Sequence, residues 1–490
     1  MTMSQASYTS VYNERSGENE IENKSGLTGQ MSATSLCLSV LAFSAPIAVV
    51  EGFLPLTILF DGPGAPFAFL VTMALMLLFA VGYISMTRYI PKVGNFYAFI
   101  SAGLGNTTGL GSAFLAIFSY LGILVGSYIF FGVSVSSLIE SFHGPHTSWI
   151  LWSVLGWLFV TTLGYFHVEL SAKLLSIAMV IEVAIVMIFN VAVLFQGGKE
   201  GLSIEPLTPS AFTDGNIAIT LLYTVLVFIG FEATALYRDE VKTPAKTIPK
   251  ATFAAIIFIG VLYSLSSYSL VTAYGSDAWD VATNNPTTMF ASAIGRFVSP
   301  VFEQITYCSV VISLSAALLS IHNVLSRYLL NLANDKALPA SLSKVHEAHK
   351  SPYIASNWVG FIAALAISPF IINNANGETV YAIATGLGGL GIIFLMGLVS
   401  VAILAWFLKR GIPQEVGVFR AIIAPLLSAA AIFCTALVAV MHIDLVVGGT
   451  PGQYTWLVLL FVFVFAIGSM LSLYFKFKKP AVYALIGQSN

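Results

Sequence analysis

A chain of 490 residues that is 57% hydrophobic and only 9% charged, with a mean hydropathy of +0.87, cannot be a water-soluble globular protein. Soluble domains carry roughly 25% charged residues and need polar cover over their cores. The composition defines a polytopic protein of the lipid bilayer; the formal net charge of −2 says nothing about a polyanionic partner, and no basic stripe points to nucleic acid.

Residues 1–32 are polar and hold no apolar core of the kind a cleaved leader needs, so they are expected to form a disordered cytosolic tail. About 20 apolar residues are needed to cross a bilayer at 1.5 Å rise per residue. Twelve such stretches follow, at roughly 33–60, 66–88, 107–138, 148–166, 171–195, 215–237, 251–273, 298–329, 353–373, 379–408, 419–441 and 455–475. The third and eighth look longest and are expected to tilt. Residues 476–490 form a second short tail. The cysteines Cys37, Cys308 and Cys434 all fall in apolar runs and read as buried thiols, with no disulfide or metal framework.

Lysine and arginine set the orientation. With the N-terminus in the cytosol, every basic residue except Lys199 and Arg296 falls on the cytosolic side. Both termini are therefore expected in the cytosol, which agrees with an even number of spans.

Polar groups at membrane depth usually face a cavity or a partner. Span 1 carries Ser44, Ala45, Pro46, Ile47 and Ala48 at its middle and Glu51 in its outer half. Pro46 lacks an amide proton and crowds the preceding turn, which predicts a break near 42–47. Span 6 carries Phe228, Ile229, Gly230 and Phe231, followed by Glu232. Interrupted helices at corresponding positions of two halves point to a transporter binding site. Five spans separate them, which implies inverted repeats over 33–195 and 215–410, with 411–475 supplying two appended helices. The fold class expected is all-α integral membrane, a five-plus-five inverted-repeat core with broken helices 1 and 6.

Span 5 has Lys173 at its cytosolic mouth and Glu182 nine residues on, about 13 Å deeper along the helix. A carboxylate there that moves between charged and neutral is what a proton-coupling site needs. Span 8 offers Ser313 and Ser315 as candidate sodium ligands, and His322 nearer the cytosol.

Three motifs in order carry a resemblance. They are Phe228–Glu232 with Asp239-Glu240-Val241-Lys242-Thr243-Pro244 and Ile248-Pro249-Lys250-Ala251, then Pro91-Lys92-Val93-Gly94-Asn95-Phe96-Tyr97, then Ser326-Arg327 with Asp335-Lys336-Ala337-Leu338-Pro339. This pattern resembles the amino acid–polyamine–organocation superfamily over about residues 33–410. The resemblance implies substrate binding between the broken centres of helices 1 and 6, where half-helix ends offer amides to an anion and carbonyls to an ammonium. Family members that bind α-amino acids have a Gly-Ser-Gly type break, whereas this chain has Ser-Ala-Pro-Ile-Ala. With Glu51, it looks similar to the polyamine-importing branch. Where sodium-independent members often carry a lysine on span 5, this chain has Glu182.

The function expected is a secondary active permease for an amino acid or related organic amine, importing with protons by alternating access in the plasma membrane. Glu232, Glu182, Lys173 and Glu51 would couple or gate. No cofactor is expected, and proton ranks above sodium as the coupling ion. An amine-specific importer, an uncoupled exchanger and, more remotely, a channel are the alternatives. No nucleophile, metal cluster or phosphate loop suggests an enzyme, and the oligomeric state is open.

Overall fold

The computed structural model describes residues 32–87, 89–90, 96–166, 172–231, 234, 241, 243–347, 351–447 and 452–487. Among these residues the architecture is all helical, and nine helical runs are long and apolar enough to cross a membrane. One of the nine, Pro46–Thr87, bends within itself, and two further apolar helices, Trp149–Tyr165 and Ile217–Leu226, are shorter.

In chain order the first region is α1 (Ala33–Phe43), α2 (Pro46–Gly52), α3 (Leu54–Asp61) and α4 (Ala65–Thr87). After it come α5 (Phe96–Leu104), α6 (Asn106–Ser141), α7 (Trp149–Tyr165) and α8 (Ala172–Gln196). The second half holds α9 (Ile217–Leu226), α10 (Pro244–Tyr274), α11 (Met289–Phe297), α12 (Pro300–Asn334), α13 (Tyr353–Ile372) and α14 (Gly377–Arg410). Then α15 (Ala424–Met441), preceded by a π-helical turn at Phe419–Ile423, and α16 (Leu457–Lys478) complete the bundle.

The centre of the bundle is α6 packed along α14. They approach closely because glycines face each other, as small residues allow in membrane helices. A Cβ on Gly388 would lie 2.6 Å from the Ser119 carbonyl oxygen, and one on Gly126 would lie 2.6 Å from Thr385 Cγ2. The short loop helix α5 is seated the same way, with the Gly103 position 2.1 Å from the Ala402 carbonyl oxygen. Lys409 then donates to the Gly103 carbonyl at 3.0 Å.

Three local features refine or correct the expectations. First, α10 begins at Pro244 rather than near 251. Pro244 sits at the first helical position, where no amide is needed, and Pro249 is carried inside the helix. Second, the stretch 274–297 between two of the apolar spans is partly helical: it contains Ala278–Asn284 and α11. Third, the cysteines are free but not buried, since Cys37 and Cys308 are half-buried and Cys434 is exposed on the outer face.

Candidate functional site

The first span breaks where a small-residue pair meets proline. α1 ends at Phe43, and Ala45 adopts a left-handed backbone at φ 49°, ψ 65°, before α2 restarts at Pro46. A non-glycine residue with positive φ costs energy and needs support from its surroundings. Part of that support is local: the Ser44 amide and hydroxyl both donate to the Leu41 carbonyl, at 3.1 and 2.7 Å. Part comes from across the bundle, because the first turn of α2 leaves amides unpaired and Pro46 supplies none. The Ile47 amide donates to Glu182 Oε2 at 3.2 Å.

Glu182 is 6% exposed and projects from α8. Its other neighbours are Ser313 on α12 and Tyr263 on α10, each close to the carboxyl without a well-formed hydrogen bond. Tyr263 also faces Ser44, and its ring meets Phe69 of α4 edge-on at 6.2 Å. Four structural elements therefore converge on one carboxyl at the break. The Ser315 hydroxyl donates to the Val311 carbonyl of its own helix at 2.7 Å.

The sixth span is interrupted as well. α9 ends at Leu226, and the chain passes through a run of turns to Gly230, whose φ of 113° only glycine adopts readily. Phe228 and Phe231 are buried, and Phe231 meets Phe79 of α4 edge-on at 6.0 Å. Thr234 shares a 2.6 Å hydroxyl contact with Thr252 of α10, and Thr224 does the same with Thr72 of α4. The outer halves of the two broken spans pack directly, with Phe60 stacked on Tyr223 at 5.4 Å. Glu232 lies outside the described residues, as do Asp239, Glu240, Lys242, the 91–95 motif and the side chain of Lys173.

Glu51, one turn beyond Ile47 on α2, is fully buried. Its Oε2 accepts from the Ala291 amide at 3.0 Å, in the first turn of α11. A carboxylate suits that place, since a helix N-terminus presents unpaired amides and partial positive charge. Glu303 lies nearby on α12, and Arg296 stands over the Tyr274 ring at 4.2 Å. His322 is buried away from this region, with Nε2 at 2.8 Å from Ser356 Oγ on α13.

Sequence reasoning missed Tyr263 and Ala291. A tyrosine inside an apolar run carries no signal by itself. The α11 stretch did carry one: Met289, Phe290, Ala293, Ile294 and Phe297 recur at helical spacing and form the buried face of a short helix.

Broken helices, a carboxyl set into one of the breaks, and a bundle of apolar helices together define a multi-pass membrane transporter. The sequence profile of the amino acid permease family matches residues 57–482, and the chain belongs to that family, within the amino acid–polyamine–organocation superfamily. It is similar to the branched-chain amino acid permease BcaP of Bacillus subtilis, 24% identical over 62% of this chain and 67% of that protein. It is also similar to the serine/threonine exchanger SteT of the same organism, at 23% over 64% and 70%. A third relative is the low-affinity putrescine importer PlaP of Escherichia coli K12, at 21% over 67% and 72%. The protein is thus a secondary transporter for amino acids or amines, and not an enzyme by family.

Proposed function

We propose that this chain imports its substrate together with protons, by alternating access between the broken centres of spans 1 and 6. Twelve spans, both termini in the cytosol and a plasma-membrane location complete the reading. The observation that carries it is the Glu182 carboxyl bonded to the Ile47 amide at the break. A group that can take up a proton is attached to the element whose movement opens the site, so protonation and conformation are linked. Glu51 would act as a gate on the outer side, holding α11 through Ala291. Glu232 and Lys173 remain candidates for the inner side. Sodium ranks second because Ser313 and Ser315 are not an adjacent hydroxyl pair, and Ser313 stands beside the Glu182 carboxyl.

A second reading concerns the substrate. Pro46 offers no amide, and the Ile47 amide is engaged by Glu182. A substrate carboxylate would find less to bind there than in a glycine-rich break. That favours an amine or cationic substrate, in line with the putrescine importer among the relatives.

Uptake of radiolabelled leucine, serine and putrescine into proteoliposomes decides both points. The expected result is accumulation driven by an inward proton gradient, indifferent to sodium, and strongest for the amine. Equal accumulation with and without the proton gradient would overturn coupling. Uptake that requires internal substrate and no gradient would select the exchanger.

A further inference from the structure

Fourteen buried side-chain polar atoms among the described residues have no hydrogen-bond partner within the protein, and they are not scattered evenly. Five belong to one seam between α2, α8, α10 and α12: Glu51 Oε1, Asn190 Oδ1, Tyr263 OH, Ser267 Oγ and Ser313 Oγ. The seam has an outer and an inner level. At the outer level, Glu51 holds Ala291 of α11, and Phe189 meets Phe290 of α11 edge-on at 5.0 Å. Asn190 follows Phe189 and donates through Nδ2 to Ser266 of α10 at 3.0 Å. At the inner level, Glu182 has Tyr263 and Ser313 beside it. Tyr263 and Ser267 are four residues apart on α10, so they share one face about 6 Å apart. Eight residues of α8 separate Glu182 from Asn190, about 12 Å.

Native proteins leave few buried polar atoms unpaired, and buried water, making two to four bonds, is the usual partner. A cavity lined by apolar groups stays dry, but here every unpaired group is an oxygen, and four of them, on α8, α10 and α12, accompany the unpaired oxygen of Glu51 on the helices packed around the two carboxyls.

We propose that this seam binds a file of water molecules that carries a proton between Glu51 and Glu182. The inference rests on the proton-coupled reading above. Each transfer breaks one O–H bond as the next forms, from the Glu51 carboxyl through water to the Glu182 carboxylate, with no redox change. The hydroxyls of Tyr263 and Ser267 and the amide oxygen of Asn190 hold the waters in line. The other titratable or charged groups around the seam are Tyr274 on α10, Arg296 on α11, and Glu303 and Tyr307 on α12.

Two measurements test it, the first independent of transport. Radiolytic hydroxyl-radical footprinting oxidises buried side chains that touch bound water. Tyr263 and Tyr223 are equally buried at 0% exposure, but the Tyr223 hydroxyl donates to the Ala382 carbonyl at 3.1 Å. Tyr263 is expected to be oxidised about tenfold faster than Tyr223, and Asn190→Leu or Ser267→Val to reduce that ratio. Equal, slow labelling means a dry seam and overturns the proposal.

The second measurement follows internal pyranine fluorescence while leucine, serine or putrescine enters, whichever the wild type carries. Asn190→Leu and Ser267→Val are expected to keep substrate counterflow while losing about tenfold in substrate-driven proton entry. Unchanged proton entry in both variants overturns the relay. A wild type that moves substrate with no proton overturns the coupled reading and the relay with it. A coupled wild type whose Tyr263 stays dry overturns the relay alone.

Discussion

The interface between α6 and α14 and the seam around Glu182 are both buried, yet they are made from opposite materials. In the first, glycines let backbones touch: Gly388 faces the Ser119 carbonyl, and Gly122 would bring a Cβ to 3.2 Å from the Gly388 Cα. In the second, carboxyls and hydroxyls stand between helices with bonds left to make. Close backbone packing has few alternative arrangements of similar energy, because interiors are dense and resist deformation. A seam tied by a few hydrogen bonds at each level can release and re-form. The first region is therefore suited to be a fixed frame, and the second to be the part that changes.

The carboxyls of the seam also act in series. Glu182 on α8 holds the start of α2, and Glu51 near the end of α2 holds the start of α11. Each link is a carboxyl accepting from an amide of a first helical turn. The two links stand at either end of a helix only seven residues long, so a change at the inner one would have a short path outward.

The largest effect is expected at the inner link. Glu182→Gln keeps an oxygen for the Ile47 amide but cannot exchange a proton at neutral pH. Gradient-driven accumulation should fall at least about tenfold, the scale of the loss of one coupling interaction, while counterflow persists. Accumulation at the wild-type level would remove Glu182 from the coupling site and leave it a structural cap.

Next comes the frame. Gly388→Ala or Gly103→Ala forces a Cβ against a backbone carbonyl that cannot turn aside. Overpacking of this kind costs about 1–3 kcal/mol. Thermal unfolding in detergent should move down, and counterflow and accumulation should decline together. A frame variant that lost coupling while keeping counterflow would break the distinction between the two regions.

A smaller effect on stability is expected at the outer link. Glu51→Ala leaves the Ala291 amide buried without its partner, at a cost of about 1–3 kcal/mol. Glu51→Gln retains an acceptor and should recover most of the lost stability. If both variants unfold at the same temperature, the bond to α11 is not what holds the loop helix.

How much of this was legible follows from what each feature depends on. The break at Ser44–Pro46 is local: a proline after small residues interrupts a helix wherever it is placed. Glu182 and Glu51 were visible because carboxyls inside apolar runs are rare. Their partners were not, since Ile47 and Ala291 act through backbone amides, which every residue but proline carries. The glycine seating of α6 on α14 left a trace in Gly122, Gly126, Gly388 and Gly391, but its pairing is tertiary. The start of α10 at Pro244 lies ahead of the apolar stretch 251–273, so hydropathy did not mark it, although proline at a first helical position is well tolerated.

The last comparison takes the same chemistry away from the seam, to the short helix after α15. Asp444, in the short helix Ile443–Val446, accepts from the amides of Tyr454 and Gly452 at 2.5 and 2.8 Å. These two bonds, the Tyr454 amide first, hold its carboxyl below the ordinary aspartate range. A lowered value in the folded protein adds stability above the unfolded value, near 3.9, and that contribution is lost as pH falls through the lower folded value. Hydrogen exchange at Gly452 and Tyr454, corrected for the intrinsic pH dependence of exchange, should therefore show protection at pH 6 that fades below about pH 4. Asp444→Asn should reduce that protection at pH 6 and flatten its pH dependence, without changing accumulation. Here a carboxylate holds backbone amides outside the seam. If its loss altered coupling as Glu182→Gln does, amide capping alone, and not position in the seam, would explain the role of the buried pair.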